Sequence, residues 1–203
     1  MQNDERLSLQ SLIAQEIEAL RNLPLDNPMD EAVELIYEQI HGAGGKVVIA
    51  GMGKAGQIGM NIGTTLSSTG TSAVYIHPME AQHGDLGVIQ KNDVLFLISN
   101  SGITDEVLLL SDLAKKLHPD LSIISLTGDR NGMLHEMADV SLITGKPAEI
   151  CPLGLTPTTS TTVMTVIGNL LVVRMIEKIG FTKAEYAKRH HSGYLGRKAK
   201  HDG

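Results

Sequence analysis

The chain has 203 residues, enough for one α/β domain with a sizeable core, and its 42% hydrophobic and 20% charged content is that of a soluble globular protein. A net charge of −6 argues against a nucleic-acid partner, and the single cysteine, Cys151, excludes an internal disulfide. The apolar runs look too short to span a bilayer, and the acidic N-terminus lacks a signal-peptide core. We therefore expect a cytoplasmic protein with no membrane partner.

Two helices are predicted before the first strand. Apolar residues recur at helical spacing from Leu7 to Leu20. A second helix begins at Asn27-Pro28, where an amide can cap the helix and a proline suits its first turn, and it continues to Gly42. We expect one domain over 1–203, with N-terminal helices (5–42), an α/β core (46–180) and a C-terminal helix and tail (181–203).

Short buried runs alternate with helical segments through the core. These runs, at 46–50, 71–77, 93–98, 121–126 and 140–143, predict five strands. Such alternation predicts an α/β fold with a five-stranded parallel sheet sandwiched by helices. The segment from Thr159 to Ile179 is apolar on most sides, which indicates a buried helix that packs partly against a second subunit.

A hydroxyl-rich turn separates the third strand from the next helix. It carries Ser99, Asn100, Ser101 and Thr104 ahead of Glu106. The first backbone amides of a helix lack intrahelical partners and lie at the positive end of its dipole, so such a turn suits phosphate. Because the turn has no lysine, it is not a nucleotide P-loop and favours a phosphate monoester such as a sugar phosphate.

A glycine-rich turn, Gly51 to Gly56, follows the first strand and spells G-x-G-x-x-G. Alone this pattern is a weak dinucleotide fingerprint, and the acid that should follow the next strand is replaced by His77-Pro78. A tight strand-to-helix turn that needs glycine is the alternative. We place the dinucleotide interpretation below the phosphosugar one.

Three further segments carry groups that could do chemistry. The loop from His77 to Asp85 includes His83 and suits proton transfer or hydroxyl binding better than a required metal. Glu149 is a solvated loop acid or a base whose pKa is raised by apolar neighbours, while Cys151 is better explained as a small packed hydrophobe than as a nucleophile. Of the adjacent His190 and His191, at most one is catalytic.

Together these segments resemble the sugar isomerase (SIS) domain family, and more narrowly its D-arabinose-5-phosphate isomerases, the first enzymes of Kdo synthesis. The resemblance holds in order and spacing from about Lys46 to Arg197. It implies a flavodoxin-like or Rossmann-like topology, no cofactor, a phosphorylated sugar as substrate, and a homo-oligomer, expected to be a tetramer with active sites at subunit interfaces.

The resemblance also implies roles for particular residues. It makes Lys54, Glu106, Glu149 and His190 catalytic, and it gives His77 and His83 a substrate-binding role together with an inhibitory Zn²⁺ site rather than a required metal. The substrate-binding positions it implies are Gly53, Ser68, Gly70, Thr71, His77, His83, Ser99, Asn100, Ser101 and Thr104.

Three departures from the family pattern stand out. Ala55 replaces a usual serine, the closing motif begins His190-His191-Ser192 instead of His-Pro-Gly, and the chain is expected to be a short form without the pair of CBS modules that many members carry. The expected reaction interconverts D-ribulose 5-phosphate and D-arabinose 5-phosphate through a cis-enediol, for lipopolysaccharide or a capsule. A 3-hexulose-6-phosphate isomerase and a non-catalytic phosphosugar-binding regulatory module remain alternatives.

Overall fold

The computed structural model describes residues 8–201 of the chain. In that part the strands are β1 (Val47–Gly51), β2 (Ala73–Tyr75), β3 (Val94–Ser99), β4 (Ser122–Thr127) and β5 (Val140–Ile143). The helices are α1 (Leu9–Arg21), α2 (Met29–Ile36), α3 (Gly53–Ser68), α4 (Pro78–Ala81), α5 (Asp105–Leu117), α6 (Met133–Met137), α7 (Thr159–Lys178), α8 (Lys183–Arg189) and α9 (Gly193–His201). A π-helical turn, Tyr37–Gly42, continues α2, and a 3-10 turn, Asp85–Val88, follows α4.

The five strands form one parallel sheet in the order β2-β1-β3-β4-β5. This order confirms the predicted α/β fold with a five-stranded parallel sheet, and it is the flavodoxin-like arrangement. The chain reverses its direction of winding between β1 and β3. In open α/β sheets ligands bind outside the carboxyl ends of the strands at this switch point, which fixes where a site is expected.

Helices cover both faces of the sheet. Ile49 and Phe96 point into a core cluster shared with α2, α3 and α7, whereas Leu95 and Leu97 point into a second cluster shared with α5 and α6. Every residue of β1 and β3 is buried, as expected for parallel strands covered on both faces. The result is a rigid three-layer frame that presents the strand ends to solvent.

The long helix α7 belongs to this frame. By length and composition alone it could cross a membrane, which corrects the expectation that no apolar run is long enough. Its packing explains the composition, because Val163, Ile167 and Leu171 are buried in the core beside α3. The predicted helix is therefore confirmed, and Leu170 and Val173 form an apolar strip on its outer side, about half exposed.

The predicted cap at the start of α2 was wrong. Asn27 does not cap α2. Its side chain instead accepts a hydrogen bond from the amide of Ile143 (2.6 Å) and donates one to the carbonyl of the same residue (2.9 Å). A primary amide matches a peptide group in this way, so Asn27 fastens the N-terminal segment to the outer edge of β5.

The short helices α4 and α6 were not predicted, and the C-terminal segment 181–203 contains α8 and α9. The expected helix start at Leu7, the proposed domain limits at residues 1 and 203, and the last two tail residues lie outside the described residues.

Candidate active site

A cleft of about 300 Å³ opens at the carboxyl end of the sheet, beside the switch point. It lies between the first turn of α3, the loop after β3 and the N-terminus of α7. The residues that line it are Met52, Lys54, Ala55, Ile98, Ser99, Asn100, Ser101, Thr104, Pro157, Ser160, Thr161 and Met164. The parallel sheet thus brings together residues about 100 positions apart in the chain.

The loop after β3 is a compact hydroxyl cluster. Ser99 Oγ lies 2.7 Å from Thr104 Oγ1 and 3.4 Å from Ser101 Oγ, and it accepts a hydrogen bond from the amide of Gly102 (3.2 Å). Gly102 has a φ of +70°, a left-handed conformation that favours glycine and allows the loop to fold back on Ser99. The three hydroxyls are therefore held at one end of the cleft.

The first turn of α5 leaves its backbone donors open. Thr104 caps the helix without a side-chain hydrogen bond to it, and the amides of Asp105 and Glu106 have no acceptor among the described residues. The carboxylates of these two residues interact favourably with the positive end of the helix dipole. In the described part of the chain, neither carboxylate forms a hydrogen bond with the hydroxyl cluster. Open amides next to hydroxyl donors form an anion site of the kind predicted for a phosphate.

The glycine-rich segment after β1 is a packing device. A Cβ on Gly56 would lie 2.5 Å from the carbonyl oxygen of Gly51 and 2.6 Å from the hydroxyl of Tyr75, which donates to that same carbonyl (2.7 Å). The helix already begins at Gly53, so the prediction that the turn extends to Gly56 was wrong. Gly53 has a φ of +56°, and the next residue, Lys54, is exposed and lines the cleft.

Glu149 occupies the N-terminus of α7. One carboxylate oxygen, Oε2, accepts hydrogen bonds from the amide (2.6 Å) and hydroxyl (2.8 Å) of Thr158 and from the amide of Ser160 (3.3 Å). Burial acts to raise the pKa of Glu149, but hydrogen bonds from Ser160 and Thr158 together outweigh it and hold the pKa below its ordinary value. The expectation of a raised pKa was wrong for this reason.

Cys151 lies two residues beyond Glu149 in the same loop. It is half-buried, and hydrogen bonds led by the Thr156 hydroxyl lower the pKa of its thiol to about 7. Because the side chain is only half-buried, the interpretation of Cys151 as a packed hydrophobe stays a prediction.

Three of the predicted substrate-binding residues lie at the amino end of the sheet, away from the cleft: Ser68, Gly70 and Thr71. They lie at or just after the C-terminal end of α3, and a helix of 16 residues is about 24 Å long. Ser68 donates to the carbonyl of Thr65 (2.9 Å), and buried Thr71 lies within hydrogen-bonding distance of His41 (3.2 Å). Within one chain these residues cannot contact a small ligand held by the Ser99 loop.

Glu149 and the remaining predicted residues lie outside the lining of the cleft, although Glu149 bonds Ser160, which lines it. His77 caps α4 by accepting from the amide of Met79 (3.3 Å), and His83 is exposed in the turn that follows. His190 ends α8, where its ring stacks on Tyr186 with centroids 3.7 Å apart. Glu106 is half-buried in the first turn of α5, next to the hydroxyl cluster.

One wall of the cleft was missed as a binding surface. Pro157, Ser160 and Thr161 line it from the N-terminus of α7. The sequence carried a signal in the hydroxyl run from Thr158 to Thr162, which was interpreted only as a helix cap. In residues 8–201, no cluster of three or more His, Cys, Asp or Glu side chains is arranged to hold a metal ion.

The family model of the SIS domain matches residues 39–174, which is more than half of the chain. The chain therefore belongs to the SIS domain family, and the resemblance described above is confirmed. The matched region contains β1 to β5, the hydroxyl cluster after β3, Lys54 and Glu149.

Particular relatives narrow the comparison. Over 183 residues the chain is 43% identical to the arabinose 5-phosphate isomerase KdsD of Salmonella typhi, covering 90% of this chain and 55% of that protein. It thus spans about half the length of the curated relative it matches.

Two solved structures share the fold over most of both chains. One, from Bacteroides fragilis, is a candidate phosphosugar isomerase involved in capsule formation; it is 56% identical with a TM-score of 0.89, over 91% of this chain and 96% of that one. The other, from Escherichia coli CFT073 in complex with arabinose 5-phosphate, is 36% identical with a TM-score of 0.79, over 88% and 93%.

Proposed function

We propose that the protein is an aldose–ketose isomerase that interconverts D-ribulose 5-phosphate and D-arabinose 5-phosphate through a cis-enediol. The observation that carries the proposal is one cleft that combines an open anion site after β3, a lysine at its rim and a wall of α7 that is capped by Glu149. The KdsD relatives and the arabinose 5-phosphate complex of a 36% identical structure support the choice of substrate.

Each group has a distinct task in this reaction. Ser99, Ser101 and Thr104 bind the phosphate by hydrogen bonds from their hydroxyls and the adjoining amides. Glu149 removes a proton from C1 of the ketose, exchanges it with solvent while the enediol persists, and delivers a proton to C2, so that the enediol forms and collapses with no net loss of hydrogen. The hydrogen-bonded carboxylate is ionised near neutral pH, as a base must be.

The charge that develops on the substrate oxygen needs a partner. Lys54 is exposed at the cleft and supplies a positive charge for the enediolate oxygen. Glu106, beside the hydroxyl cluster, and a histidine, His190 or His83, would move the hydroxyl protons. No cofactor takes part in this scheme, and we place the reaction in the cytoplasm.

An oligomer, with a tetramer as our expectation, explains the residues that lie outside the cleft. His77, His83 and His190, and likewise Gly70 and Thr71, lie apart from the lining of the cleft in a single chain. A second chain could bring some of them to the cleft, and closed symmetric assemblies are the usual way to do so. The half-exposed Leu170 and Val173 on α7 are suited to such a contact.

The central test is turnover by the purified protein on a panel of phosphosugars. We expect isomerisation of D-ribulose 5-phosphate with the highest kcat/KM, and incorporation of one solvent deuterium at the reacting carbon. A preference for 3-hexulose 6-phosphate would replace the proposed substrate, and binding of phosphosugars without turnover would indicate a regulatory module.

The shared site is tested by mixing subunits. Glu149→Gln chains and His83→Ala or His190→Ala chains are expected to be inactive alone and to regain part of the activity when mixed, because some hybrid sites then carry neither defect. Light scattering at the assay concentration checks the assembly. A fully active monomer would refute both the oligomer and the shared site.

A further inference from the structure

Helix α1 lies outside the region matched by the SIS model, yet its residues Gln15, Glu18 and Ala19 line a groove together with the segment from Thr144 to Ala148, which leads to Glu149. Pro24, just after α1, lies against Gly145, where a Cβ would come within 3.3 Å of it, and Asn27 bonds the end of β5. The N-terminal segment therefore supports the loop between β5 and α7 from behind.

One side chain of α1 reaches the N-terminus of α7. Glu16 Oε1 accepts a hydrogen bond from the hydroxyl of Thr159 (2.7 Å), and the oxygen of that hydroxyl accepts one from the amide of Ile150 (3.2 Å). Because the Thr159 hydroxyl donates its proton to Glu16, its oxygen keeps a lone pair for the amide of Ile150. Thr159 is 1% exposed, so bulk solvent does not reach its hydroxyl.

The cost of this arrangement is visible at Glu16. Its second oxygen, Oε2, is buried and has no hydrogen-bond partner among the described residues. An unsatisfied buried carboxylate oxygen is unfavourable, and such exceptions in a native structure need an explanation. The positive end of the α7 dipole offsets part of this unfavourable free energy at Glu16. An apolar side chain at position 16 would avoid the unsatisfied oxygen altogether.

We propose that Glu16 is a positioning residue for Glu149, acting through Thr159 and the backbone of Ile150. The inference rests on the proposed role of Glu149 as the base. Both residues lie next to Glu149 or its contacts. Ile150 follows Glu149 in the chain, and Thr159 lies between Thr158 and Ser160, whose amides donate to the Glu149 carboxylate. Fixing the amide of Ile150 therefore fixes the backbone on which the base is carried.

The kinetic test uses Glu16→Ala, Thr159→Val and the double variant. We expect each single change to lower kcat about 10- to 100-fold, as displacement of a base by about 1 Å does, while KM changes less than about twofold. Because both changes break the same relay, the double variant should be no worse than the more damaged single one. Thr159→Ser keeps the hydroxyl and should restore most of kcat.

Glu18→Ala is the matched control, since Glu18 is exposed on the same helix and bonds only its neighbours Arg21 and Asn22 among the described residues. It should keep the wild-type kcat. Independent additive losses, an effect on KM alone, or a kcat that follows the melting temperature of each variant would overturn the proposal.

A second measurement does not depend on turnover. Hydrogen exchange at the Ile150 amide, followed by NMR, should become at least about 10-fold faster in Glu16→Ala and Thr159→Val, because that amide loses its fixed acceptor. Unchanged exchange would refute the relay even if the isomerase activity is found. Faster exchange in a protein that does not isomerise D-ribulose 5-phosphate would refute the proposed function and leave the relay standing.

Discussion

Two helix N-termini face the cleft, and they differ in what occupies their backbone amides. At α7 the amides of Thr158 and Ser160 donate to the carboxylate of Glu149. At α5 the amides of Asp105 and Glu106 have no acceptor in the described part of the chain, and the capping hydroxyl of Thr104 bonds Ser99 instead. One N-terminus already holds a protein anion, whereas the other is open to a ligand.

In the proposed reaction, this difference assigns the phosphate end of the substrate to α5 and the carbon that loses its proton to α7. A phosphate dianion binds where donors are unsatisfied and the dipole is positive, which is α5. At α7 the same physical effect acts on a protein group: it keeps Glu149 ionised and oriented. In the proposed mechanism, the same helix-terminal chemistry therefore serves substrate binding at one wall of the cleft and proton transfer at the other.

The largest expected effect comes from the occupied N-terminus. Glu149→Gln keeps the shape of the side chain and removes its basicity, so kcat should fall by at least about 100-fold, the low end for a positioned base. Steady-state kinetics with D-ribulose 5-phosphate measure it, with exposed Glu136→Gln on α6 as the control. If deuterium still exchanges into the substrate carbon at the wild-type rate, Glu149 is not the base.

A smaller effect is expected at the open N-terminus. Ser101→Ala removes one donor to the phosphate, which is bound equally in the substrate and in the transition state, so KM should rise about 10-fold with kcat nearly unchanged. Ser122→Ala, at the amino end of β4 and thus at the end of the sheet away from the cleft, should behave as wild type. A large loss of kcat at constant KM would remove Ser101 from the phosphate site.

The sheet and its carboxyl-end site could be predicted because both depend on local patterns. Buried runs gave the strands, and the hydroxyl turn after β3 gave one wall of the cleft. The role of Asn27 could not be predicted. Local rules favour a helix cap at this position, but its side chain instead bonds the backbone of Ile143, 116 residues away. Nor does the sequence show how far Ser68 lies from Ser101, because that distance depends on the length of α3, which separates Ser68 from the cleft.

The pKa of Glu149 shows the same limit in energetic terms. The apolar neighbours Ile150 and Pro152 suggested a raised pKa, whereas donors nine and eleven residues further on lower it. Burial can be guessed from neighbours in sequence, but hydrogen bonds depend on how the loop closes on α7.

The ionisation of Glu149 gives a test of moderate size. Because its folded-state pKa lies below the ordinary 4.5, it stabilises the fold at pH values above 4.5, and this contribution is lost as the pH falls through the folded-state pKa. Urea unfolding of wild type and Glu149→Gln at pH 7 and below should show a stability gap that narrows under pH 4.5. A gap that widens on acidification would contradict the assignment.

The smallest effect is expected from metal removal. Proton transfer through an enediol can run on Glu149 and the positive charge of Lys54, so treatment with EDTA followed by dialysis should leave kcat intact or raise it. Added Zn²⁺, which favours imidazole, should inhibit through exposed His77 and His83, and His77→Ala should weaken that inhibition. Activity that is lost on chelation and restored by one divalent ion would show that a bound cation, rather than Lys54, balances the charge at the cleft.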